Sequence, residues 1–194
     1  AEKAEKTGRY YRLMIEHVRR VLKDVKRVYP GYDPKDGYEL AGFAWFQGWN
    51  DMVAGGTYPK RGQPGGYDAY TECLAHFIRD VRKDLKAPDM RFVIGVMGVG
   101  GPLEKYASPR YVPIHGSFRE AMAAPASMPE FKGNVAAVRT APFWDGRLQQ
   151  MEDNQGKVKQ MAGFLKSKHK DHPNKDGSMD AKAQRLTWTS TARN

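Results

Sequence analysis

The residues best suited to chemistry lie together in Gln47-Gly48-Trp49-Asn50-Asp51. Asn50 offers an amide donor, and Asp51 a carboxylate that can fix a turn or orient a partner. Gly48 permits a tight turn or a close backbone approach. These residues follow the apolar run Phe43-Ala44-Trp45-Phe46. Buried strands of parallel sheets read as such runs, and ligands bind just beyond their carboxyl ends. A strand followed by a plain Asx turn uses the same residue types. Both readings stand on these residues alone.

Other reactive groups are scattered. His115 and Ser117 flank Gly116, but residues so close in sequence are poorly disposed to act as nucleophile and base. His169, Asp171 and His172 could touch an ion, yet no third or fourth ligand stands at zinc spacing. No metal is therefore expected. Cys73 is the only cysteine, so no internal disulfide forms, and its helical surroundings predict a buried thiol. That leaves the redox compartment open. Gly98-Val99-Gly100-Gly101-Pro102 follows an apolar run, but a phosphate cradle needs a helix directly behind its glycines. Pro102 and a long loop follow instead, which predicts close backbone packing.

The elements that must position these groups follow from periodicity. Met14, Val18, Val21, Val25 and Val28 predict an amphipathic helix over 10–28, stopped by Pro30-Gly31. His17 lies on or beside its apolar face as a packed or surface histidine. Residues 39–46 predict a first strand. Residues 54–66 carry five glycines and two prolines, which predicts a surface loop. Tyr70, Leu74, Phe77, Val81 and Leu85 mark a second helix, with Pro88 beyond its end. Strands are predicted over 92–97 and 134–140, with a short helix over 117–124 between them. A last helix carries Val158, Met161 and Leu165. This alternation predicts an α/β fold with a doubly wound parallel sheet. It brings the loops 47–51, 98–101 and 140–145 to one sheet edge. The expected division is one domain over 1–172 and a polar tail over 173–194.

Composition narrows the class. Hydrophobic residues at 40% and charged residues at 28% suit a soluble globular domain. No apolar run approaches the ~18 residues needed to span a bilayer, so no membrane partner is expected. No signal-peptide pattern opens the chain, and Ala1 in place of Met leaves room for an upstream segment. The net charge of +10 invites a nucleic-acid reading. Its location argues otherwise: residues 1–35 and 147–194 each hold 10 Lys/Arg against 5 Asp/Glu, and the middle is balanced. With no RNA-binding motif beside it, the excess reads as solvated surface.

The block Gly48-Trp49-Asn50-Asp51 resembles the Gly-x-Asn-Asp block of the SGNH hydrolases. With Gln47 before it and Pro-Glu-Phe-Lys-Gly-Asn-Val at 129–135, the chain is similar to bacterial sialate O-acetylesterase-like proteins. These are related to carbohydrate esterase family six, and the similarity runs over about residues 7–172. The resemblance implies a three-layer α/β/α sandwich, incomplete in this chain. It implies hydrolysis of acetyl esters on sugars through an acyl-serine, without metal or organic cofactor. The partner is then an acetylated carbohydrate, and a periplasmic or secreted location fits.

Carried over residue by residue, the Asn50 amide and the Gly48 N–H are oxyanion donors, and the nucleophile's own N–H is a third. Gln47, Trp49 and Asp51 line the substrate. Trp49 departs from the Gln-Gly-Glu arrangement of many relatives, which favours an aromatic wall against a sugar ring. Asp51 then organises the loop. The family's serine sits in a Gly-Gln-Ser-Asn block that this sequence does not contain. Its histidine belongs to an Asp-x-x-His block, whereas His169 stands three residues before His172. The expected nucleophile and base are thus not in this chain. Two rivals stand beside the esterase: a non-catalytic carbohydrate-binding relative and a basic nucleic-acid-associated α/β protein.

Overall fold

A computed structural model describes residues 8–105 and 108–165 of the protein. The chain divides into two compact units, Ala1–Phe143 and Trp144–Asn194. The first contains helix α1 (Arg9–Lys23), strand β1 (Gly42–Trp45), the five-residue helix α2 (Trp49–Val53) and helix α3 (Asp68–Asp84). Strand β2 (Arg91–Val96), helix α4 (Val112–Ala123) and strand β3 (Val135–Arg139) complete it. The second unit contains helix α5 (Gly146–Leu165).

The fold of the first unit is α/β, with an open, three-stranded parallel sheet in the order β1-β2-β3. Trp45 lies opposite Ile94, and Ile94 opposite Ala137, so the carboxyl ends of all three strands share one edge. Two right-handed crossovers taken in sequential strand order place their helices on the same sheet face. The burial pattern agrees. Phe92, Ile94 and Val96 are buried with Tyr70, Leu74 and Ile78 of α3 and Phe118 and Met122 of α4. On the other face Val93 is 41% exposed and Val138 45%.

Several boundaries move from those the periodicity predicts. α1 stops at Lys23 because Asp24 leaves helical geometry (φ −142°), and a single 3-10 turn follows over Val25–Arg27. Its buried residue is Ile15, packed with Val81 and Met90, while Val28 is exposed. Tyr11 ties the helix to α3 by donating to Asp84 Oδ2 at 2.7 Å. The helix expected over 117–124 begins earlier, at Val112, with Pro113 in its first turn, where a missing N–H costs nothing. Cys73 corrects the expected burial: it is exposed. Tyr70, Leu74, Ile78 and Val81 take the buried stripe of α3, and Cys73 stands one residue, about 100° of helix, away from it.

Buried Arg82 ties the amino-terminal ends of two strands together. Its Nε donates to Met90 O at 3.0 Å and its Nη2 to Asn134 Oδ1 at 2.9 Å. In the second unit Asp145 caps α5, its Oδ1 accepting from the Arg147 and Leu148 N–H groups at 2.8 and 3.2 Å. Leu148, Met151 and Val158 of that helix are exposed. No helix among the described residues is long and apolar enough to cross a membrane. His169, Asp171, His172 and the polar tail lie outside the described residues.

Candidate functional site

Three loops meet at the carboxyl edge of the sheet. The first, after β1, is anchored by tyrosines. The Trp45 indole N–H donates to Tyr70 Oη at 3.2 Å, and the Tyr70 hydroxyl donates to Gln47 O at 3.2 Å. Tyr67, also buried, donates to Met52 O at 2.6 Å. Gly48 then turns the chain at φ 153°, a region that favours glycine. The stretch expected as a turn becomes helical at once: Trp49, Asn50 and Asp51 form the start of α2. Five residues are too few to show a 3.6-residue period, so the sequence pattern could not reveal this helix.

Within this loop the polar groups divide into two sets. The Asp51 carboxylate accepts from Gln47 Nε2 at 3.2 Å and, at a long 3.5 Å, from the Tyr58 hydroxyl. Gln47 and Asp51 are therefore engaged with each other. Burial first, and the Asp51 charge next, push the Tyr58 phenol up to about 12. Burial likewise raises Tyr70 to about 12. Both act as neutral hydroxyls over the ordinary pH range. Among the described residues no hydrogen bond engages the Gly48 N–H or the Asn50 side chain. Gly48 is buried, Asn50 is exposed, and Trp49 is half exposed.

The second loop, after β2, is held by buried Arg119 of α4. Its Nη2 donates to Val99 O and Gly101 O, both at 2.9 Å. A β-carbon on Gly98 would lie 2.5 Å from Ala141 N and from the Thr140 carbonyl carbon. Close approach to the third loop thus requires glycine there, as the sequence predicted. Thr140 Oγ1 donates across to Val96 O at 2.7 Å. Between these two loops lies a cleft of about 280 Å³, lined among others by Met97, Leu103, Arg119 and Thr140. Arg139 and Glu120 also line it, joined through two bonds of 2.9 and 3.0 Å. Sequence reasoning missed Arg119, Glu120 and Arg139. On a helix Arg119 and Glu120 read as ordinary surface charges, and only its position at the end of a strand marks Arg139.

The Ser117–His115 pair does not assemble. The Ser117 hydroxyl donates to Gln63 O at 3.3 Å beside a separate cleft lined by Pro64, Asp68 and Thr71. His115 is buried beside Val99 and Arg119. Burial, then the Arg119 charge, lowers its pKa, against a smaller opposing effect of its bond to the Val99 backbone. No cluster of three or more His, Cys, Asp or Glu side chains suited to a metal occurs among the described residues. The edge can therefore donate hydrogen bonds and present aromatic surface, but no nucleophile–base pair stands there among the described residues. No protein family, curated protein or solved structure matches the chain.

Proposed function

We propose that this chain supplies the carbonyl-oxygen-binding and sugar-contacting side of a carbohydrate O-acetylesterase of the SGNH type, with sialic acid or another acetylated sugar as substrate. One observation carries the reading. At the carboxyl edge of a parallel sheet, the Gly48 N–H and the Asn50 amide are engaged by no hydrogen bond among the described residues, while their neighbours Gln47 and Asp51 are bonded to each other. Attack on an acetyl ester builds negative charge on the carbonyl oxygen, and donors already in place lower that barrier. Gly48 and Asn50 take this role. Trp49 offers an indole face to the sugar ring, and the Gln47–Asp51 bond holds the loop. The serine that forms the acyl intermediate belongs to a Gly-Gln-Ser-Asn block absent from this sequence. In the same reading the sheet face bearing Val93 and Val138 is the one that a three-layer sandwich covers.

A second reading rests on a separate observation. Ser117 is bonded to Gln63 O away from buried His115, so no nucleophile–base pair stands at the edge among the described residues. That favours a non-catalytic carbohydrate-binding relative. Calorimetric titration with O-acetylated and unacetylated sialic acid separates the two. The esterase reading expects the acetylated sugar to bind more tightly by the worth of one or two hydrogen bonds, about 0.5–1.5 kcal/mol each. Asn50→Ala should reduce that preference by the share of one hydrogen bond. Equal affinities would favour the binding protein, and no affinity for either sugar would dismiss both.

A further inference from the structure

Part of the net charge of +10 is gathered at the amino-terminal end of the strands, opposite the candidate site. Two open clefts of about 510 and 530 Å³ meet there at Lys86, which lines both. The first lies between α1 and the end of α3 and takes in Arg19, Lys23 and Tyr38. The second takes in Arg79 and Lys83. Each cleft has one acid, and each acid is already engaged. Asp84 accepts from the Tyr11 hydroxyl, and Glu130 is paired with Arg79. Lys23, Lys83 and Lys86 are exposed, and their ammonium groups enter no ion pair among the described residues. The surplus carried by α1 thus adjoins a second basic group on α3.

Lys86 holds its place in an unfavourable conformation. The Ala87 N–H donates to Arg82 O at 2.9 Å and the Lys86 N–H to Lys83 O at 3.1 Å, which is the Schellman ending of a helix. Lys86 takes the left-handed position of that motif, at φ 55°, where glycine is the usual residue. Among the described residues no other non-glycine has a positive φ. Attraction to the carboxyl end of α3 does not account for it, since Arg82 and Lys83 already stand in the last turn. A residue kept in a costly conformation points to a use for its side chain. Here that side chain is the cation at the junction of two basic clefts.

We propose that this end of the fold anchors an acidic polysaccharide, whose carboxylate or sulfate groups pair with Lys23, Lys83 and Lys86. This rests on the carbohydrate reading above and adds a second site to it. The strands between the two ends separate them by roughly 15–20 Å, so the anchor is not part of the carboxyl edge. An extended chain can run from one cleft into the other past Lys86, as a single sugar cannot. Regularly placed anionic groups then meet cations in both.

The test titrates the full chain with polygalacturonate and with dextran sulfate, beside neutral dextran and a DNA duplex. Both acidic polymers should bind, neutral dextran should not, and affinity should fall steeply with added salt. Lys83→Gln and Lys86→Gly should each weaken binding about three- to tenfold. Lys86→Gly should also raise the unfolding temperature by about 2–4 °C, because glycine relieves the left-handed strain. A weaker binder that is a more stable protein excludes misfolding as the cause. Lys60→Gln and Lys105→Gln remove the same charge elsewhere and should leave affinity unchanged. Equal losses at Lys60 and Lys105, or full affinity in Lys86→Gly, would overturn the anchor. Tighter binding of the duplex, with the same dependence on Lys83 and Lys86, would overturn the polysaccharide and assign the surface to nucleic acid. O-acetylated sialic acid, titrated in the same series, reports on the carboxyl edge separately. Its binding without that of the acidic polymers would remove the anchor alone. Acidic polymers bound without any response to the acetylated sugar would uphold the anchor and remove the esterase reading.

Discussion

A β-carbon placed on Gly48 would lie 2.8 Å from both Cε1 and Cζ of Phe118, so the turn that ends β1 sits directly on α4. Phe118 is itself fully buried and packs against Tyr67 and Tyr70, with ring centroids 4.8 and 4.7 Å apart. The loop carrying Asn50 is thus seated on the central aromatic core. A donor held this way loses little order when a ligand arrives, which is what a preorganised site requires.

Gly48→Ala should therefore destabilise the protein by about 1–3 kcal/mol, through overpacking on Phe118 and an unfavourable backbone angle. Phe118→Leu in the same chain should recover only the packing share, leaving the backbone share. Urea unfolding of the two single variants and the double variant measures the coupling. Strict additivity would show that the Gly48–Phe118 contact is not the source.

Tyr58 and Tyr70 make stability sensitive to alkali. Burial holds both phenols protonated to about 12 in the folded protein, against an ordinary value near 10. The folded state keeps its proton where the unfolded chain has lost it, so raising the pH favours unfolding. Stability should be level up to about pH 10 and decline towards pH 12. Tyr70→Phe and Tyr58→Phe should each flatten that decline. Unfolding midpoints from pH 8 to 12 provide the measurement, and unchanged slopes in both variants would contradict it.

Removing the Arg82 guanidinium should cost about 2–4 kcal/mol, because Met90 O and the Asn134 side chain then lose their buried donor. Arg82→Met keeps the apolar stem and tests the hydrogen bonds alone. Arg82→Lys should recover less than half of the loss, since one ammonium does not reproduce a planar fork. A change below about 0.5 kcal/mol in Arg82→Met would reduce the residue to a surface charge.

The purified 194-residue chain should not hydrolyse an acetyl ester at an enzymatic rate. Oxyanion donors assist a reaction already supplied with a nucleophile and cannot replace one. Ser117→Ala and His172→Ala controls should leave the background rate unchanged. Robust turnover abolished by either substitution would show a catalytic residue that the spacing arguments discarded. In an esterase that supplies the serine, Asn50→Ala should lower turnover by about 10²–10³-fold.

The parallel sheet was legible because Phe92–Met97 reads as one apolar run, and the same holds for the shared edge of three loops. The uneven cover of its faces shows only in the alternation within β2. Arg91, Val93 and Gly95 alternate with buried Phe92, Ile94 and Val96, a weak signal in six residues. The burial expected of Cys73 fails because a helical context alone does not fix burial; the position relative to the stripe of Tyr70, Leu74, Ile78 and Val81 does. The tyrosine anchors were invisible for another reason. Tyr58, Tyr67 and Tyr70 reach partners 7, 15 and 23 residues away, and no local pattern encodes such contacts. Arg82 and Arg119 look like solvated helix charges until the strand ends and loops that close over them are known.

The claim that Gly48 and Asn50 receive an acetyl carbonyl oxygen is tested most directly by ¹H–¹⁵N spectra of the chain during titration with O-acetylated sialic acid, with the unacetylated sugar as control. The Gly48 backbone amide and the Asn50 side-chain amide should shift with the acetylated sugar alone, and Asn50→Ala should weaken the response at Gly48. Identical shifts with both sugars, or silence at Gly48 and Asn50 while other residues respond, would contradict the assignment.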